Sequence, residues 1–255
     1  SDPIDAELAA RAALSGIASA QPKRTSGIVE SIRQLGVVRA GALKARTAAL
    51  QQLDDLLITA PDELRSELRR GRTLKARAAL CLQLRPDRRR LHEPLQAAKL
   101  ALCSLARRVR ELDRELGELD RQLEQLVATA APRTIGLFGV GTQNASQLLV
   151  TAGENIERLN GEAAFAKICG AAPIQASSGR TSRHRLDFGG DRQANRALHM
   201  IAVCRLRHCA RTHAYAKRRT AEGLNRCEIL RCLKRYIARE TYHALRADLA
   251  ALNGT

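Results

Sequence analysis

Between Phe165 and Leu198 the chain reads FAKICGAAPIQASSGRTSRHRLDFGGDRQANRAL, setting Ser177, Ser178 and Gly179 directly against Arg180, Arg183, Arg185, Arg192 and Arg196. A serine hydroxyl is a weak nucleophile at neutral pH and needs a base, a metal or strong charge stabilisation to react. Guanidinium groups are planar, always charged and able to donate two parallel hydrogen bonds, which suits a phosphate on which charge is building. Serine beside clustered arginine is therefore a kit for attacking a phosphodiester. By residue type alone, the same run also reads as a polar loop with a solvated basic flank.

The charge balance points to a polyanionic partner. Lys and Arg total 43 against 26 Asp and Glu, a formal net charge of +17. An excess of this size fits nucleic acid or an anionic membrane surface. No apolar run reaches the length that spans a bilayer, and a membrane-surface role lacks any anchoring motif, so no membrane is expected. From Ser178 to Glu240 there are 16 basic residues and 5 acidic ones, and arginine far outnumbers lysine, which favours phosphate contacts. Only three Phe, three Tyr and no Trp occur, too few for a base-stacking platform, so binding through the nucleic-acid backbone is expected. Seven cysteines, an odd number spread thinly, argue against a disulfide scaffold and for a reducing, cytoplasmic setting. Cys204/Cys209 and Cys227/Cys232, with His208 and His213 nearby, lack the short spacing of a zinc site and read as core fillers.

The elements that would position these residues are mostly α-helical, because Ala, Leu, Arg, Glu and Gln dominate and β-branched runs are few. The spacing predicts helices over Asp5–Ala20 and Gly27–Ile58, with a Pro-containing loop from Gln21 to Ser26. A helix start is expected at Pro61, before Asp62 and Glu63. After Pro94, Leu95, Ala98, Leu102, Leu105, Val109, Leu112, Leu116, Leu119, Leu123 and Leu126 alternate spacings of three and four. That apolar seam is the pattern of a coiled coil, formed with another helix of this chain or with a second copy. Pro132 marks a boundary. Beyond it a Gly139-Val140-Gly141 turn joins two apolar segments, resembling the hairpin of helix-hairpin-helix DNA binders; an ordinary packing turn fits as well. Helices from Arg192 to about Ala221 and from Asn225 to Leu252 complete the chain, each with one apolar and one basic side.

Together these features resemble the C-terminal transposase domain of the insertion-sequence 110 family. The resemblance rests on the Gly139–Gly141 hairpin with Leu148 and Leu149, the F-A-x-x-x-G-x-x-P run from Phe165 to Pro173, Ser177–Gly179, and the G-D-R-x-x-N-R-x-L run from Gly190 to Leu198. Asp2 and Asp5 resemble the closing D-x-x-D of the family's RuvC-like acidic domain, and the leucine seam its connecting coiled coil. The resemblance implies a DNA recombinase that pairs a four-acid, Mg²⁺-binding RuvC-like site with a serine nucleophile. It implies a structured bridge RNA that selects the DNA, and a homo-oligomer, dimer or tetramer. Ser178 would be the nucleophile, with Ser177 next to it as the alternative. Arg180, Arg183, Arg185, Arg192 and Arg196, with Gly139 and Gly141, would hold DNA, and Asp2 and Asp5 would be the third and fourth metal ligands. The first two acids should precede Asp2, so the chain is expected to be part of a longer product, or a truncated copy unable to complete the site. Residues 1–60 would be the remnant of the RuvC-like domain, 61–131 the helical coiled-coil region and 132–255 the transposase domain. The competing reading is a non-catalytic, basic helical module that binds nucleic acid and self-associates. The two differ at the Ser178 hydroxyl.

Overall fold

A computed structural model describes residues 2–16, 21–176, 183–185 and 187–254 of the chain. In chain order the elements are α1 (Asp2–Leu14), α2 (Ile28–Thr59), α3 (Asp62–Leu68), α4 (Leu74–Cys81), α5 (Pro94–Ala130), α6 (Pro132–Ile135), α7 (Thr142–Ala152), α8 (Glu162–Ile168), β1 (Ile174–Gln175), β2 (His184–Arg185), α9 (Arg192–His208), α10 (Ala210–Ala221) and α11 (Arg226–Leu252). The fold is mostly α, as composition and periodicity predict; β1 and β2 form a two-stranded antiparallel ladder. Among the described residues, no helix is long and apolar enough to cross a membrane. The chain divides into two compact units, Gln34–Gln125 and Ser1–Arg33 with Leu126–Thr255.

In the unit Gln34–Gln125 the leucine seam of α5 turns inward. Leu102, Leu105, Val109, Leu116 and Leu123 are buried. Leu102, Leu105 and Val109 share a core with Leu50, Leu53 and Leu57 of α2, Leu64 and Leu68 of α3, and Cys81. Two ion pairs fix the register of α2 on α5: Arg39 with Asp120, and Arg46 with Asp113, each 2.5 Å. A step of seven residues forward on α2 matches seven backward on α5, so the two helices run antiparallel, one heptad between bridges. The seam is thus used within the chain. Thr73 starts α4 by accepting a hydrogen bond from the Ala76 N–H at 3.1 Å. Pro61 precedes α3 as its cap rather than forming its first residue. Leu102 is fully buried, so Leu102→Ala should cost about 2–5 kcal/mol of stability. Urea unfolding followed by circular dichroism would read this as a lower midpoint with an unchanged slope.

In the other unit α11 supplies the central apolar face, with Ile229, Leu233, Ile237, Ala238, Tyr242, Leu245 and Leu249 buried. Asn225 starts it through a capping box with Glu228. Phe165 of α8 is fully buried and its ring lies 5.8 Å from that of Tyr242. Asp248, near the end of α11, is also buried and accepts from the Arg133 and Thr134 N–H groups at 3.0 and 2.9 Å. It thereby satisfies donors that the short helix α6 leaves free. Residues 22–29 are held to the loop after α7: the Arg24 N–H donates to Asn155 Oδ1 (2.8 Å), Asn155 Nδ2 to Pro22 O (2.9 Å), and the Val29 N–H to Glu154 Oε1 (3.1 Å).

The helix expected from Arg192 to Ala221 is two helices. Cys209 is extended (φ −113°, ψ 113°) between α9 and α10, and its N–H still closes α9 on Arg205 O. No Gly or Pro marks this break.

Candidate functional site

The site is built from the end of α8. Gly170 follows that helix with φ +60°, and the Ala171 N–H donates back to Ala166 O at 2.8 Å, a glycine-dependent stop. The chain then passes Pro173 into β1, which pairs with β2 in the register Ile174↔Arg185 and Gln175↔His184. The Ala176 N–H donates to Arg183 O at 2.8 Å. That bond ties together the two ends of the segment 177–182. Ser177, Ser178, Gly179 and Arg180 lie outside the described residues.

The G-D-R-x-x-N run proves to be an anchoring device. Gly190 lies against the turn after α8, and the Asp191 N–H donates to Ile168 O at 2.6 Å. A Cβ at position 190 would come within 2.2 Å of Gly170 N, so only glycine fits. Asp191 caps α9, accepting from the Gln193 and Ala194 N–H groups at 2.8 and 3.2 Å. Its second oxygen accepts from the Thr151 hydroxyl of α7 at 2.7 Å. Asn195 donates from Nδ2 to both Cys169 O (2.9 Å) and Gly170 O (2.7 Å). With both amide protons used, its Oδ1 is left to accept from Lys234 Nζ of α11, at 2.9 Å. Asp187 is buried and accepts from Lys167 Nζ and the Gly189 N–H, both at 2.9 Å. The Lys167 bond first, and then the backbone bond, hold its carboxyl below the usual range.

A cavity of about 580 Å³ opens beside this framework, between the base of the β-hairpin and the first turns of α11. Its lining includes Arg183, Arg185, Arg219, Arg231, Lys234 and Arg235, against Asp187, Glu222 and Glu228. Arg183 lies 3.6 Å from Glu228. Lys234 is only 6% exposed, and burial, with Arg231 close by, pushes its amine below the ordinary lysine range.

Of the residues singled out in the sequence, the cavity thus gathers Arg183 and Arg185. Arg192 and Arg196 are exposed on α9 and outside its lining. Gly139 has φ +80°, and a Cβ there would touch Cys204 Sγ at 3.4 Å, so this glycine serves a packed turn against α9. Gly141 begins α7, with open space where its Cβ would be. Asp2 and Asp5 lie on α1, Asp5 exposed; the side chain of Asp2 is outside the description. Among the described residues no group of three or more His, Cys, Asp or Glu is arranged to hold a metal ion. Two carboxylates of one helix by themselves supply fewer oxygen donors than a tight Mg²⁺ site takes. Cys204, Cys209 and Cys232 are partly buried and Cys227 is exposed, with no metal-binding group among them.

Sequence reasoning missed the burial of Lys234, although a signal was present. Positions 234, 238, 241, 245 and 248 are all buried on α11 and alternate spacings of four and three. Lys234 shares that register with the apolar Ala238 and Leu245 as well as the polar Thr241 and Asp248.

Residues 135–217 match the family model described as Transposase, IS116/IS110/IS902 family. The matched stretch holds the Gly139–Gly141 turn, the β-hairpin, Asp191 and Asn195. This similarity supports a transposase of that family and a DNA-cutting and rejoining function, with DNA as the partner it implies. No curated protein matches the chain.

Proposed function

We propose that this chain, or a longer protein of which it is part, cuts and rejoins DNA through the hydroxyl of Ser178. The carrying observation is the family match over residues 135–217; beside it, Arg183 and Arg185, close in sequence to Ser178, line one cavity. Ser178 Oγ attacks phosphorus, the Oγ–P bond forms, and the bond from phosphorus to the departing strand's oxygen breaks. The serine proton is lost and the departing oxygen gains one. A hydroxyl of the joining strand then reverses the step and releases the serine. The phosphodiester energy is kept in the protein–DNA bond, so no nucleotide cofactor is needed. Arg180 and Arg183 supply fixed positive charge where negative charge develops, commonly the largest contribution in such catalysis. Arg185, Arg192 and Arg196 hold the flanking backbone, and the turn at Gly139 and Gly141 adds contacts to it. A structured guide RNA chooses the DNA, and a homo-oligomer brings two sites to two strands.

The test is denaturing electrophoresis of the protein after incubation with Mg²⁺, labelled duplex DNA and RNA transcribed from the flanks of its gene. A covalently labelled protein band is expected. A band persisting in the Ser177→Ala/Ser178→Ala double variant would overturn the serine chemistry. Salt-sensitive DNA binding without any band would favour the non-catalytic binding module.

A further inference from the structure

Lys234 poses a problem of charge. Its Nζ has one hydrogen-bond partner among the described residues, the neutral Asn195 Oδ1, and no carboxylate within ion-pairing distance. Its charged neighbour is Arg231, of the same sign. A buried cation is costly unless an anion or a full set of hydrogen bonds compensates it. Arg219 lines the same cavity; its guanidinium pairs with Glu222, and its buried Nε has no acceptor among the described residues. Lys234 Nζ, beyond its bond to Asn195, and Arg219 Nε thus bring protons with no acceptor among the described residues to one cavity.

The framework also keeps Lys234 in place. Asn195 cannot flip its amide without losing both the Cys169 and Gly170 carbonyls, so its oxygen stays on the ammonium. That leaves two ammonium protons unclaimed among the described residues. The volume, about 580 Å³, lies in the range of sites that enclose a small organic ligand rather than a lone ion.

We propose that this cavity holds one nucleotide unit of a nucleic-acid strand, with its phosphate on Lys234 and Arg219 and with Asn195 as the positioning residue for Lys234. The strand-transferase reading supplies the identity of the phosphate's carrier. The binding itself requires no chemistry at Ser178, so the two ideas fail separately.

The experiment is fluorescence anisotropy of labelled octathymidylate (dT8) with the full chain, without any strand-transfer step. Lys234→Met keeps the length of the side chain and removes its charge. It should weaken dT8 binding about tenfold or more and reduce the slope of affinity against salt by about one. Arg219→Gln should weaken it about fivefold or more, and it keeps the proposal testable if Lys234→Met does not fold. Lys44→Met, an exposed residue of the unit Gln34–Gln125, should change it less than about twofold, the margin expected for a charge that touches no phosphate. Unchanged affinity in Arg219→Gln and in folded Lys234→Met would overturn the proposal, as would an equal loss in Lys44→Met. Inorganic phosphate competing as effectively as unlabelled dT8 would identify a free-anion site and overturn the nucleic-acid assignment.

Discussion

Ser178→Ala should lower the rate of DNA strand transfer by roughly 10⁴-fold or more, the scale on which removing a covalent nucleophile acts. DNA affinity should change less than about twofold, because binding runs through arginine and backbone contacts with phosphate and not through one hydroxyl. The contrast between rate and affinity is what separates a nucleophile from a DNA contact. Ser177→Ala provides the internal comparison. It makes the same chemical change one residue away, so it should retain most of the rate. If Ser177→Ala is the silent enzyme and Ser178→Ala the active one, the neighbouring hydroxyl is the nucleophile. If the double variant transfers strands at the wild-type rate, neither serine is needed.

Gly190→Ala should be the most damaging conservative change in the unit that carries the site. Its methyl group would lie 2.2 Å from Gly170 N, 2.6 Å from Gly170 Cα and 2.7 Å from Ile168 O. These are backbone atoms, which cannot swing aside as a flexible side chain can. Relief would separate the start of α9 from the end of α8, breaking the bond from the Asp191 N–H to Ile168 O and those from Asn195 to Cys169 and Gly170. A loss of roughly 3–5 kcal/mol is expected from overpacking combined with unmade buried hydrogen bonds. Gly189→Ala is the control: its methyl group would meet only Asp187 Oδ1, at 3.4 Å. Thermal unfolding should show a much lower midpoint for Gly190→Ala and little change for Gly189→Ala. Equal midpoints would mean that the close approach of α8 and α9 contributes little.

Much of the scaffold was legible because it depends on local pattern. The α5 seam follows from leucines at heptad spacing, and the start of α11 follows from Asn225 and Glu228 three residues apart. What stayed hidden is set by contacts remote in sequence. The carboxylate of Glu154 accepts from the Val29 N–H at the start of α2, and Asp248 serves α6 from the far end of the chain. Nothing local announces either bond. The break at Cys209 was hidden for another reason: the flanking residues are ordinary helix formers, and the separate packing of α9 and α10 overrides their propensity. In the candidate site, the arginines drew attention by type. The residues that organise it, Asp191, Asn195 and Gly190, were visible only as a motif, because their partners lie on α7, α8 and α11. Lys234 stands in sequence among the basic residues Arg231, Arg235 and Arg239, yet on α11 it falls among the buried positions.

The most direct measurement is the position of the covalent link. Protein trapped on DNA under denaturing conditions, digested with nuclease and protease and analysed by tandem mass spectrometry, should yield a nucleotide phosphate on the hydroxyl of Ser178. Tyr215, Tyr236 and Tyr242 offer the alternative chemistry for a protein–DNA phosphodiester, and Tyr236 is well exposed. A phosphate found on any of these tyrosines, with Ser177 and Ser178 unmodified, would contradict the serine mechanism.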